Sequence, residues 1–141
     1  MGLRERSIVR ILIKASGQAL AGDSEFGLSP DAVLALAAKI AAASELAETA
    51  VVVGGGNIMR GSDSASFGVD RVEADNVGML GTAINGVILR AAITAQSGKD
   101  VRLMSALPMT SVAEPYIRLR AIRHLEKGRI VVMACGIGQP S

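Results

Sequence analysis

The sequence predicts an α/β fold, a mainly parallel sheet with helices on both faces. Three observations carry this. Apolar, β-branched runs alternate with helical patterns as β-α-β-α-β-α-β over 141 residues, the pattern of a sheet covered by its own crossover helices. Glycine turns at Gly17, Gly54 and Gly136 each follow a strand. In a parallel sheet all three open on one edge, beyond the carboxyl ends of the strands, where such sheets bind ligands. Half of the residues are hydrophobic but only 2% are aromatic, so the core is built from Ala, Val, Ile, Leu and Met, which suits close packing of helix on sheet.

The first strand is predicted over 8–13, where Ile, Val and Leu dominate. It ends in a short turn, Lys14-Ala15-Ser16-Gly17. Residues 21–29 contain Gly22, Asp23, Ser24 and Gly27 and read as a surface loop. Ser29 is the predicted N-cap of a helix with Pro30 in its first position, and its apolar stripe (Leu34, Leu36, Ala38, Ile40, Ala41) continues to about residue 48. A second strand over 49–53 is apolar throughout, as expected for burial on both faces. After the glycine turn and a polar loop over 62–70, a long helix is predicted over 71–95, with Leu80, Ile84, Val87 and Ala91 as its inward stripe. Gly78, Gly81 and Gly86 cost that helix propensity and read as the site of a helix–helix or subunit contact. A third strand follows over 101–104. Glu114-Pro115 is predicted to open a helix running to about residue 127, Gly128 to stop it, and 129–134 to form a fourth strand.

A chain of this size is one domain with a real core. A net charge of +2 gives no argument for a nucleic-acid partner. The single cysteine, Cys135, excludes an internal disulfide, so a reducing cytoplasm is the expected location. No signal pattern opens the chain, and no apolar run approaches the ~20 residues that span a bilayer; a soluble protein with no membrane partner is expected. A buried strand followed by a glycine turn at Gly136 should lead into a crossover helix, so the chain is expected to be the front part of a larger protein.

The stretch Gly54-Gly55-Gly56-Asn57-Ile58-Met59-Arg60-Gly61 is the best candidate for chemistry. Three residues without Cβ let backbone N–H groups approach an anion, and Arg60 adds a fixed charge. Gly56 to Gly61 has P-loop spacing, but Ser62 stands where that motif needs lysine, and Met59 stands where a dinucleotide fingerprint needs its third glycine. A bare strand-ending turn is compatible with the same residues. Lys14 is either a solvated lysine at a strand end or a group that reaches a transferring phosphoryl. Asp75 is either a helix cap or an acceptor for ribose hydroxyls. His124, among Arg118, Arg120, Arg123 and Lys127, reads as part of a solvated helix face, and Cys135 as a small core residue. No Cys/His cluster has metal-ligand spacing, and no Ser/His/Asp arrangement assembles around one histidine.

Taken together, these residues resemble the bacterial uridylate kinases (UMP kinases) of the amino acid kinase superfamily. The similarity is collinear from about Arg10 to Pro140. It includes Ile11-Leu12-Ile13-Lys14-Ala15-Ser16-Gly17-Gln18-Ala19-Leu20, the stretch Gly54 to Gly61, Asp75-Asn76-Val77-Gly78-Met79-Leu80-Gly81-Thr82 with Asn85-Gly86, Arg102-Leu103-Met104-Ser105-Ala106, and Gly136-Ile137-Gly138-Gln139-Pro140. The resemblance implies a truncated amino acid kinase-like α/β/α sandwich that transfers the γ-phosphoryl group of ATP, accompanied by Mg²⁺, to UMP, giving UDP for pyrimidine nucleotide biosynthesis. It implies Lys14 as the catalytic contact to the transferring phosphoryl, and ATP at Lys14, Ala15, Ser16, Gly17, Gly56 and Arg60. It implies UMP at Gly55, Asp75, Ile137, Gly138, Gln139, Pro140 and Ser141, and no resident metal.

The resemblance further implies a homo-oligomer, hexameric in the full-length family, with subunit contacts from the helix after Asp75, UTP inhibition, and GTP activation through the loop from Gly22 to Gly27. The sequence departs from the family at Ala15 and Gln18, where a bulkier apolar residue and a glutamate are common. It also lacks the carboxyl-terminal half that carries most of the ATP site and a catalytic aspartate. Residues 1–141 are therefore expected to be the amino-terminal, UMP-binding portion, inactive alone. The alternatives are another amino acid kinase, acting on a carboxylate or carbamate, and a non-catalytic nucleotide-binding fragment.

Overall fold

The computed structural model describes residues 8–59 and 66–136. The elements in order are β1 (Arg10–Ala15), α1 (Gly17–Ala21), α2 (Pro30–Ser44), β2 (Glu48–Val53), α3 (Arg71–Ser97), β3 (Val101–Ser105), β4 (Glu114–Pro115), α4 (Arg118–Glu126) and β5 (Ile130–Ala134). The five strands form one sheet in the order β1-β2-β5-β3-β4, and every pairing is parallel. The expected α/β architecture is what the chain adopts.

Strand alternation divides the core in two. Val51, Val53, Leu103, Val132 and Ala134 point to one face, where they pack with Leu20, Val33, Ala37, Ile40, Leu89 and Ile93 from α1, α2 and α3. Ala50, Met104 and Val131 point to the other, under Ala121 and Leu125 of α4. Leu20, Ile40, Leu89 and Ile93 are fully buried, each contributing about 1.5–3 kcal/mol by leaving water.

Ser29 caps α2 as expected, its Oγ accepting from the Ala32 N–H at 3.2 Å, with Pro30 in the first turn. Four expectations are corrected. The first strand lies two residues later than its apolar run suggested, because Arg10 to Ala15 pair with Glu48 to Val53; Lys14 therefore lies inside β1. The helix α2 stops at Ser44, and Glu48 already belongs to β2. Glu114-Pro115 is an edge strand beside Met104 and Ser105, where a residue with no N–H is tolerated; α4 begins only at Arg118. His124 is 4% exposed, on the inward face of α4 with Ala121 and Leu125.

The face that α3 turns inward also differs from the expected one. Its buried residues are Gly81, Thr82, Asn85, Gly86, Leu89 and Ile93. Leu80 and Ile84 are about half exposed, Ala91 is exposed and Val87 is half-buried. The inward face is made of small residues because neighbouring groups crowd it: a Cβ at Gly86 would lie 2.8 Å from Leu103 Cδ1, and one at Gly81 2.9 Å from Ile58 Cγ1 and 3.3 Å from the Gly55 carbonyl oxygen. The approach those two glycines allow is thus to the chain's own strand and turn. By length and composition α3 could cross a membrane; here its inward residues pack on β3, β5 and the glycine turn.

Candidate functional site

The carboxyl ends of β1 and β2 lie side by side, with Ala15 paired to Val53 and the Gly54 N–H donating to the Ala15 carbonyl at 2.8 Å. The two turns that follow are stacked. A Cβ on Gly17 would sit 2.5 Å from Asn57 N and 2.6 Å from Gly56 N, a clash with backbone that only glycine avoids. Gly55 is pressed against α3, where a Cβ would strike the Gly78 carbonyl and lie 3.1 Å from Thr82 N. Gly56 faces open space. Among the described residues, the N–H groups of Gly55 and Gly56 donate to no carbonyl. They are free to meet an anion.

A buried polar lock holds this turn. Asn57 Nδ2 donates to the Gly27 carbonyl at 2.9 Å and to Asn85 Oδ1 at 3.1 Å. Asn85 Nδ2 donates to Asn57 Oδ1 and to the Gly54 carbonyl, both at 2.7 Å. The Gly27 N–H donates back to the Asn57 carbonyl at 2.8 Å. Loop 22–28, the glycine turn and α3 are therefore joined through two side chains, each at most 1% exposed. Neither asparagine stands out as a site residue in the sequence. The available signal was Asn85 itself, a poor helix former in an apolar helix interior, where a side-chain amide needs partners. An apolar pocket of about 500 Å³ opens beside the lock, lined by Phe26, Asn57, Ile58, Met59 and Phe67 among others.

The last strand reaches the same turn of α3. The Cys135 N–H donates to Thr82 Oγ1 at 2.7 Å, and Thr82 Oγ1 donates to the Met79 carbonyl at 2.6 Å. Cys135 is buried, as expected of a small core residue, but its φ is 66°.

Of the expected site residues, Ala15, Ser16, Gly17, Gly55 and Gly56 converge at this edge. Ser16 Oγ caps α1, accepting from the Ala19 N–H at 3.1 Å. Lys14 is exposed on β1, on the face opposite Ile13 and Ala15, and its ammonium forms no ion pair with the described residues. Asp75 is exposed in the second turn of α3 and is not its cap: Asp70 Oδ1 accepts from the Glu73 N–H at 2.9 Å. Asp75 precedes Gly78, the residue against Gly55, by three positions, which puts both on one helix face. Arg60, Ile137, Gly138, Gln139, Pro140 and Ser141 lie outside the described residues.

A second polar cluster sits away from these turns, where Asp100 and Arg129 precede β3 and β5. Arg102 donates to both oxygens of Asp100 at 2.8 and 2.9 Å and to Glu114 Oε2 at 3.1 Å. His124 Nε2 lies 2.9 Å from Glu114 Oε1 and its Nδ1 3.1 Å from Arg129 Nη1; Arg129 Nε closes the ring on Asp100 Oδ2 at 3.2 Å. Arginine cannot accept, so Nδ1 is the acceptor and Nε2 carries the proton given to Glu114. The hydrogen bonds from Arg102 hold the Asp100 carboxyl below its ordinary range, against a smaller opposing effect of burial. For Glu114 burial pushes upward, but the hydrogen bonds from His124 and Arg102 outweigh it and the net shift is downward. Arg102 is raised in turn, first by its hydrogen bonds to Asp100. This ring ties β3, β4, α4 and β5 together.

Comparison with known proteins adds to this geometry. Residues 9–140 match the model of the amino acid kinase family. The chain is 53% identical over 132 residues to the uridylate kinase of Frankia alni, covering 93% of this chain and 52% of that protein. It is 48% identical over 139 residues to the uridylate kinase of Streptococcus thermophilus, covering 98% and 56%. The crystal structure of UMP kinase from Bacillus anthracis superposes with a TM-score of 0.85 at 45% identity, covering 96% of this chain and 56% of that one. The chain spans about half the length of the relatives it matches.

Proposed function

The chain belongs to the amino acid kinase family, and on that premise we propose that it supplies the acceptor side of a uridylate kinase, which phosphorylates UMP to UDP with ATP in pyrimidine nucleotide biosynthesis. One observation carries the reading: the N–H groups of Gly55 and Gly56, unengaged among the described residues, in a turn that Gly55 packs against α3 beside the end of β1, in a chain about half identical to uridylate kinases.

Phosphoryl transfer asks a protein mainly for positioning and charge neutralisation. In this reading Gly55 and Asp75 bind UMP, Asp75 accepting hydrogen bonds from its ribose, and 137–141 complete the acceptor site. Gly56, Arg60 and the Ala15-Ser16-Gly17 turn hold the donor's phosphates, and Lys14 Nζ neutralises the charge that grows on the transferring group. Among the described residues no group of three or more His, Cys, Asp or Glu side chains could hold a metal ion. In this scheme Mg²⁺ travels with ATP, bridging its phosphates.

Residues 1–141 act as the UMP-binding portion of the fold, with turnover requiring the remainder of the ATP site. The same resemblance extends to a cytoplasmic homo-oligomer, a hexamer in whole uridylate kinases, activated by GTP and inhibited by UTP. The exposed Leu80, Ile84 and Ile88 on α3 support self-assembly.

Thermal unfolding with added ligand tests the proposal. UMP at a hundredfold excess over Kd stabilises the chain by about 2.7 kcal/mol, while aspartate and acetylglutamate leave it unchanged. Stabilisation by either carboxylate and not by UMP transfers the chain to another branch of the family. Stabilisation by UMP with no turnover in any assembly makes it a nucleotide-binding module.

A further inference from the structure

Cys135 is the one non-glycine among the described residues with a positive φ. A side chain in this left-handed region crowds the adjacent carbonyl, so L-residues adopt it only when something holds them there. The Cys135 N–H donates to one hydroxyl. Thr82 Oγ1 spends its only proton on the Met79 carbonyl at 2.6 Å, which turns a lone pair toward the Cys135 N–H at 2.7 Å. The thiol faces the same carbonyl, with Sγ 3.7 Å from the Met79 oxygen.

Thr82 also meets the other turn. The position a Gly55 Cβ would take lies 3.1 Å from Thr82 N and 3.3 Å from Thr82 Cγ2. One buried residue of α3 therefore borders the space beside Gly55 with its backbone and methyl group, and meets the exit of β5 with its hydroxyl. We propose that Thr82 is a positioning residue, whose hydroxyl keeps Cys135 left-handed and so fixes how the chain leaves β5 relative to the glycine turn after β2. Its consequence for ligand affinity rests on the acceptor-site reading above; its consequence for the Cys135 backbone does not.

Valine matches threonine in shape and lacks the hydroxyl, serine keeps the hydroxyl, and glycine adopts the left-handed region unaided. The full chain and its variants T82V, T82S, C135G and T82V/C135G are compared by amide hydrogen exchange at residue 135 and by calorimetric titration with UMP. T82V is expected to speed exchange at residue 135 and to weaken UMP binding, each by roughly tenfold, the scale of one lost buried hydrogen bond. T82S stays within about threefold of the parent. T82V/C135G recovers UMP affinity to within about threefold of C135G, because glycine no longer needs the hydroxyl.

Unchanged exchange at residue 135 in T82V overturns the inference, and so does a T82V/C135G chain that binds UMP as weakly as T82V. If T82V alone does not fold, the inference still requires T82V/C135G to fold, and its failure to do so counts against it. A parent chain that binds no UMP defeats the functional reading, while the exchange comparison still decides the role of Thr82.

Discussion

Asn57 and Asn85 exchange side-chain amide hydrogen bonds inside the core, at 3.1 and 2.7 Å, and each gives a further hydrogen bond from its amide nitrogen to a glycine carbonyl, Gly27 and Gly54 respectively. Replacing Asn85 with leucine leaves the Gly54 carbonyl and part of the Asn57 amide buried and unpaired. At about 1–3 kcal/mol for each orphaned group, Asn85→Leu should cost about 3 kcal/mol in urea unfolding. Asn85→Asp should cost at least as much, since it turns an acceptor toward the Gly54 carbonyl. A loss under about 1 kcal/mol for both variants would show that the lock contributes little.

The glycine turn offers a paired test of shape. Gly55→Ala drives a Cβ into the Gly78 carbonyl, whereas Gly56→Ala meets nothing within 4 Å. The first should destabilise by about 1–3 kcal/mol, the usual cost of overpacking, and abolish UMP-dependent stabilisation. The second should stay within about 0.5 kcal/mol of the parent. Equal effects on stability would contradict the packing described for Gly55.

Acid should loosen the far end of the sheet before the glycine turns. Asp100 and Glu114 ionise at lower pH in the folded chain than in the unfolded one, so the unfolded chain takes up protons first as pH falls. Their contribution to stability is complete above the ordinary carboxylate range of about pH 4–5 and disappears as pH drops through the depressed folded values. Urea midpoints measured at pH 7 and near pH 3 should therefore converge between the parent and Glu114→Gln. Parallel pH profiles for the two chains would remove Glu114 from the account.

Lys14 separates chemistry from folding. It is exposed and its ammonium is unpaired among the described residues, so Lys14→Met should leave stability within about 0.5 kcal/mol and preserve stabilisation by UMP. In a chimera carrying the carboxyl-terminal half of the Frankia alni uridylate kinase, the same change should lower turnover by about 10²–10³-fold. Full turnover in that chimera would reassign the phosphoryl contact.

The strands and the edge they share were legible because β-branched runs and strand-ending glycines are local signals. Gly17, Gly54 and Gly55 could be singled out in the sequence, and they do converge. The inward face of α3 was not legible. Periodicity ranks Leu80 and Ile84 as core because they are large, yet a helix that must touch the backbone at Gly55 turns Gly81, Thr82 and Asn85 inward. The pairing of Asn57 with Asn85 spans 28 positions, so neither residue reveals the other. His124 differs for a similar reason: its basic neighbours on α4 suggest solvent, while its partners Glu114 and Arg129 come from β4 and the residue before β5. Pro115 matched the rule for a helix start and the rule for an edge strand equally well, and its pairing with Ser105 decided between them.

The strand order has a consequence for the time course of folding. β5, the last of the described strands, lies between β2 and β3, pairing with Ala50–Val52 on one side and Val101–Ser105 on the other. Until it inserts, the first two strands and the third and fourth have no hydrogen-bonded connection. Val51 and Leu103, which both pair with Val132, then lack the neighbour they share. Such contacts are distant in sequence and slow to form. During synthesis the turns after β1 and β2 can come together by their own pairing, whereas the exit of β5 meets Thr82 only once residue 135 has been made, so the joint between the two halves of the sheet is the late event.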